Sequence, residues 1–278
     1  MSQKIDLYTI CWNEEYMLPY FFRYYDQFVD RYVIFDDGST DKSLEILHLH
    51  PKVEVRKLPR LKVDSYILAA KQVHDNCWKE SIGKADWVII TAIDEFLYTH
   101  NLGSYLKECT KKGITVIPAL GYQMISEILP KEDKQLFELV TRGCPWDRMN
   151  KLSIFNPSNM KDSNQGLGRH SAKPQGQIIY PEKDELLNLH YKYLSFDATF
   201  ERHSELNEKL GKVDKKNNWG KKYAWDKLEF EDNWNKFMNL STENVLCTSN
   251  PIESHSTLKE RWWRKDKKKS FIKKIFNF

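Results

Sequence analysis

The stretch "DWVIITAIDEFLY", Asp86 to Tyr98, decides how the chain is read. Trp87 to Thr91 are apolar or β-branched, the composition of a buried strand. Two carboxylates, Asp94 and Glu95, follow directly, with apolar Phe96 and Leu97 behind them. Taken alone, such a pair has a plain structural reading: Asp94 caps the next turn and Glu95 is solvated. Its neighbours along the chain argue otherwise.

Working outward, strand-like and helix-like segments alternate. "IDLYTIC" (Ile5 to Cys11) reads as a strand, and "EEYMLPYFFRYYDQF" as a helix with one aromatic face, which Pro19 starts or kinks. "YVIF" (Tyr32 to Phe35) is a second strand ending in "DDGSTD", where Ser39 or Thr40 can cap the helix "DKSLEILHLH". "VEVRKL", the helix "SYILAAKQVHDNCWKESI", "DWVIITAI" and, after a polar helix, "ITVIPAL" continue the pattern. This alternation predicts an α/β domain with a mostly parallel sheet flanked by helices. Such sheets bind ligands at the carboxyl ends of their strands. Asn13-Glu14-Glu15, Asp36-Asp37-Gly38 and Asp94-Glu95 all fall at those ends, so the fold gathers them on one edge. Past Pro130 the pattern loosens. "KLSIF", "QIIY" and "LLNLHYKYL" read as short strands, "GLGRHSAKPQGQ" as a flexible loop, and residues 196–212 and 225–240 as helices. Residues 1–125 form the first half, 126–258 an α+β elaboration of the same domain, and 259–278 a tail.

Composition bounds the function. A chain of 278 residues with 41% hydrophobic side chains buries a real core. No apolar run reaches the roughly 20 residues of a bilayer span, and the N-terminus does not read as a signal peptide. Five scattered cysteines without a CxxC pair argue for a reducing compartment, the cytoplasm by default. From Lys259 to Phe278, nine Lys/Arg stand against two Asp/Glu, whereas the rest of the chain is mildly acidic. The body is therefore not a nucleic-acid binder by charge. As a helix, the tail would put Phe271, Ile272, Ile275 and Phe276 on one face opposite lysines, which suits peripheral contact with an anionic inner membrane.

The acids suggest their chemistry. Hard carboxylate oxygens suit Mg²⁺ or Mn²⁺, ions that offset charge on a departing diphosphate. In "DDGSTD" a carboxylate can accept hydrogen bonds from ribose or a base, although good turn and capping chemistry explains Gly38, Ser39 and Asp41. Taken together and in order, "CWNEE…VIFDDGSTDKSLEIL…DWVIITAIDEFLY" resembles the nucleotide-sugar half of a glycosyltransferase family 2-type enzyme with the GT-A fold. The subgroup it resembles carries a "DEF" motif, like bacterial polysaccharide-type transferases, and "LHYKYLS" (Leu189 to Ser195) resembles its later histidine element. The resemblance implies that Asp37 contacts the nucleoside, with Asp36, Asn13 and Glu14 in the same pocket. It implies that Asp94 and His190 approach the metal. It also exposes a departure: Ala92 stands where members commonly carry an acid, so the metal site is thin.

The implied reaction is metal-dependent transfer of a sugar, with inversion, from a nucleoside-diphosphate sugar (a UDP-sugar by resemblance) to a hydroxyl of a glycan or lipid-linked acceptor. Inversion needs a base for the acceptor proton. Glu95, Asp147 in "CPWDRMNK" and His170 in "GLGRHSAK" are the candidates; Lys71, Arg169 and Lys173 are candidate diphosphate contacts. Two other classes stay open. A nucleotidyltransferase should show a Gly-rich phosphate loop, which "TICWNEEYML" lacks. A non-catalytic sugar- or nucleotide-binding module would explain Ala92.

Overall fold

The computed structural model describes residues 3–248 and 250–264. The chain begins with β1 (Ile5–Cys11), α1 (Leu18–Tyr25), β2 (Arg31–Asp36), α2 (Ser43–Leu49), β3 (Val53–Lys57) and α3 (Tyr66–Asn76). It continues through β4 (Trp87–Ile90), β5 (Glu95–Tyr98), α4 (Leu102–Lys111), β6 (Val116–Ser126), α5 (Leu136–Leu139) and β7 (Gly143–Pro145). Then come β8 (Lys151–Phe155), β9 (Met160–Asp162), β10 (Gln175–Gly176), β11 (Leu187–Leu194), α6 (Phe196–Lys209), α7 (Lys212–Lys216) and α8 (Lys227–Leu240).

Nine strands form one sheet in the order β3-β2-β1-β4-β8-β6-β11-β5, with β7 on β6. The β3-β2-β1-β4 half is wholly parallel, as the strand–helix alternation requires. Beyond β4 the sheet is mixed, and β8, β5 and β7 run against the rest. This mostly parallel sheet with flanking helices is the α/β architecture that the strand–helix alternation predicted.

The quoted stretch turns out to be two strands. After Ile90 the chain leaves the parallel half, turns at Thr91–Asp94 with Glu95 N bonding Ala92 O (3.1 Å), and enters β5 at the far edge beside β11. The aromatic face of α1 holds β5 in place. Tyr25 Oη donates to Glu95 O (2.9 Å) and accepts from Leu97 N (3.0 Å), while Tyr24 Oη donates to Leu97 O (2.6 Å). Phe21, Tyr24 and Tyr25 pack on Phe96, each burial being worth about 1.5–3 kcal/mol. Pro19 sits in the first turn of α1, where its missing N–H costs nothing, so the helix starts there.

Three expectations change. Ser39 and Thr40 do not cap α2; Asp41 Oδ1 accepts from Ser43 N (2.9 Å), and Ser39 and Thr40 bond Asn13 instead. "QIIY" is not a strand, although Ile179 O accepts from Thr115 N and Val116 N. The "GLGRHSAK" segment is built around buried Arg169 and is not loose. Arg261 and Arg264 pair with buried Asp184, which also accepts from Trp263 Nε1 (2.8 Å). Residues 265–278, with the amphipathic lysine-rich stretch, lie outside the described residues.

Candidate active site

Strand register assembles the centre of the site. His190 on β11 lies opposite Glu95 of β5 on one side and Gln123 of β6 on the other. Asp94, one residue before β5, accepts Tyr191 N on its carbonyl (2.8 Å), which brings its carboxylate Oδ2 to 3.3 Å from His190 Nε2. Gln123 Nε2 donates to Met124 O and His190 O, so its Oε1 faces His190 Nδ1 at 2.7 Å. That amide orientation makes Nδ1 the donor and leaves Nε2 turned to Asp94. Burial pushes the His190 imidazole toward its neutral form, against the pull of Asp94. Burial would likewise raise the Asp94 carboxyl, yet His190 and Lys192 outweigh it and hold the carboxyl below its ordinary range. A proton or a cation between Nε2 and the carboxylate satisfies both groups.

This pair fits a divalent ion as two ligands of a larger set, with the histidine oriented by a hydrogen bond at its other nitrogen as metal-ligating histidines are. Among the described residues no group of three His, Cys, Asp or Glu side chains converges to hold a metal. Ala92 has no carboxylate to add to the pair.

Glu95 points the other way. Successive residues of an extended chain face opposite sides, and the Glu95 side chain, 3% exposed, lies between Lys151 Nζ and Arg169 Nη2, both at 2.5 Å. Burial opposes its ionisation, but Arg169 and Lys151 prevail and hold it far below the ordinary carboxylate range. With both oxygens committed to cations it does not serve as a base. Arg169 also donates to Ile90 O, so it is a structural brace and not a diphosphate contact.

The other two base candidates meet at one rim. His170 Nδ1 contacts Arg148 O, which places the imidazole beside the turn Asp147–Met149. Asp147 is half-buried and has no side-chain hydrogen bond or ion pair among the described residues. Its neighbour Trp146 packs 6.0 Å from the His190 ring. Gly121 permits that approach, because a Cβ there would fall on Met149 and the Trp146 carbonyl.

The residues expected at the nucleoside lie at the tips of β1 and β2. Asp37 is buried; its carboxylate meets Arg60 and Lys209, and Lys209 Nζ also donates to Asp37 O (2.7 Å). Glu14 Oε1 accepts from Arg202 (2.9 Å), and burial, against Arg202, raises the Glu14 carboxyl to about 7. Asn13 and Asp36 serve the loops. Asn13 Oδ1 accepts Thr40 N (2.7 Å), and Asp36 accepts Gly38 N (2.8 Å) and the Ser39 hydroxyl (2.6 Å), which leaves Asp36 a turn-builder. Lys71 pairs with Asp75 one helical turn on, and no described contact brings it to the Asp94–His190 pair.

Several residues here were missed by the motif reading. The Trp12 ring carries Arg202 (4.7 Å) and Lys209 (4.4 Å), both from α6. Lys192, Lys222 and Tyr223 gather near Asp94. Only Trp12, at the tip of the first strand, gave a usable signal; the others arrive from elements far along the chain.

The mostly parallel sheet thus carries a buried acid, Asp37, at one strand tip and a carboxylate–histidine pair, Asp94 and His190, at another. Residues 12–228 match the model of Glycosyltransferase family 92, and the chain belongs to that family. The match specifies family 92 where the motifs suggested a family 2-type enzyme. No curated protein matches the chain. Among solved structures, it is similar to Staphylococcus aureus TarS at 12% identity, covering 92% of this chain and 46% of that one with a TM-score of 0.37. It is similar to glucosyl-3-phosphoglycerate synthase from Mycobacterium tuberculosis, solved with Mn²⁺, UDP and glucosyl-3-phosphoglycerate, at 17% identity over 43% of this chain and 44% of that one, TM-score 0.30. The chain spans under half the length of both. Overlaps this loose carry no argument about its site.

Proposed function

We propose that this glycosyltransferase moves a sugar, with inversion, from a nucleoside-diphosphate sugar to a hydroxyl of a glycan or lipid-linked acceptor, and that UDP is the nucleotide. The observation that carries the reading is the Asp94–His190 pair, fixed by Gln123 at the same sheet edge as Asp37. Asp37 receives the nucleoside once Arg60 and Lys209 yield, and Trp12 walls the same pocket. Asp94 and His190 hold Mn²⁺ or Mg²⁺, which when bound supplies positive charge for the departing diphosphate. Of the three base candidates, Asp147 alone keeps an uncommitted carboxylate, and it takes the acceptor proton at the rim it shares with His170. The "DEF" motif suits a role in bacterial polysaccharide synthesis. Among the described residues no helix is long and apolar enough to cross a membrane; the basic tail would keep a cytoplasmic enzyme near a lipid-linked acceptor.

Thermal stabilisation by nucleoside diphosphates, with and without Mn²⁺, tests this. One nucleotide should stabilise the protein, more so with Mn²⁺. Asp94→Ala should lose the Mn²⁺ increment, and Asp37→Ala the nucleotide effect itself. A folded protein that no nucleotide stabilises sinks the donor-site assignment.

A further inference from the structure

Two amines stand beside the Asp94–His190 pair without a carboxylate of their own. Lys192 Nζ donates to Tyr223 Oη at 3.1 Å and lies 4.4 Å from the centre of the Tyr223 ring. Lys222 Nζ lies 5.4 Å from the same ring centre and 5.6 Å from that of Trp146, the indole that packs beside His190. Both lysines are half-buried, and among the described residues neither makes an ion pair. The Tyr223 ring therefore holds two ammonium groups within about 10 Å of each other, a distance bounded by the two ring contacts. Removing two like charges from water without a counter-ion is unfavourable. Aromatic faces offset a part of that cost, about 0.5–2 kcal/mol each. Of the described carboxylates in range, Glu14 is paired with Arg202, which leaves Asp94 facing both amines. Such a cluster is built for an anion that arrives with the ligand.

We infer that Lys192 and Lys222, held on the Tyr223 ring, form a second wall of the diphosphate subsite that binds the donor's β-phosphate independently of the divalent ion. This rests on the donor-site reading above. It also accounts for the tolerance of Ala92: charge that a further acid would place on a metal is carried here by amines that meet the phosphate directly. The 3-10 turn Lys221–Ala224 brings Lys222 in from beyond α7, so the wall comes from the C-terminal half of the chain while Asp94 comes from the N-terminal half. A phosphorylated acceptor would offer the same chemistry. The donor is favoured because both amines are placed beside the Asp94–His190 pair, Lys192 two residues along the strand from His190 and Lys222 on the Trp146 ring that packs on it.

The test is the affinity of the full chain for UDP and UMP in EDTA, measured by calorimetry, with the matched GDP/GMP and ADP/AMP pairs alongside. In the wild type the diphosphate should bind more tightly than the monophosphate by about tenfold to a hundredfold, as charge-assisted hydrogen bonds to two amines allow. Lys222→Met and Lys192→Met should each cut that ratio several-fold while leaving UMP affinity unchanged, which also shows that the variants are folded. Asp94→Ala should keep the metal-free ratio and lose only the gain on adding Mn²⁺. A ratio near one in EDTA, or a ratio that the lysine variants leave intact, overturns the inference while the donor site stands. Failure of every nucleotide to bind overturns both.

Discussion

Asp94 and Glu95 are adjacent in sequence and opposite in role, and the geometry of an extended chain separates them: one carboxylate reaches the sheet edge and the other enters the core. The same scale governs how the site responds to pH. Burial brings the Lys222 amine down to about 8; Lys192 and Lys151 push the same way, while Tyr223 and Asp94 oppose. The Tyr223 phenol sits near 8 as well, because Lys192 and Lys222 outweigh the burial that would raise it. The two titrate as a coupled pair. As pH rises through about 8, the pair gives up a proton and with it one unit of positive charge, which disfavours an incoming diphosphate. kcat/KM for the donor, which reports the free enzyme, should therefore fall on the alkaline side of about pH 8. Lys222→Arg should move that limb to higher pH, since a guanidinium stays charged. A profile flat from pH 7 to 9.5 in the wild type would remove Lys222 and Tyr223 from donor capture.

Glu95 acts at the scale of elements. It ties β5 to β8 through Lys151 and to the 3-10 turn Leu167–Arg169 through Arg169, which adopts a left-handed φ of 60° to reach it. Glu95→Gln keeps the shape but strands two buried cations, a loss of about 3–5 kcal/mol. Urea melts should show that loss, and adding Lys151→Met should recover part of it. If Glu95→Gln melts like the wild type, the triad is not what joins these elements. The "DEF" motif alone could not disclose this role, because the partners of Glu95 lie 56 and 74 residues away. Asp94 and His190 were singled out by the resemblance their motifs carry, and strand register brings the two side chains together. Lys222 was not singled out, because a lone lysine on a short turn carries no periodic signal. Strand–helix alternation reads the parallel half of the sheet, where neighbours in space follow in sequence. The β6-β11-β5 edge is closed by pairings between distant segments, and local pattern cannot specify those.

Over the whole molecule, the C-terminal segment clamps the candidate acceptor rim from behind. His255 Nε2 contacts Gly121 O at 2.9 Å, and Trp262 Nε1 donates to Asn150 O at 3.1 Å, so residues 255–262 brace the β6 glycine and the turn that carries Trp146 and Asp147. The anchor is Asp184, whose 1% exposed carboxylate gathers Arg261, Arg264 and Trp263. Two of the nine basic side chains counted in residues 259–278 are thus paired within the protein. Asp184→Ala leaves Arg261 and Arg264 without that partner. Because both reach partly into solvent, the cost should be moderate, about 1–3 kcal/mol. The discriminating readout is limited proteolysis: the variant should gain cleavage near residues 255–264 that the wild type resists. UMP affinity should stay unchanged, since the nucleoside end is built from β1, β2 and α6. An acceptor-dependent rate that falls while UMP binding holds would place the clamp's influence at the Asp147 rim. Loss of UMP binding would instead mean that the segment supports the sheet as a whole.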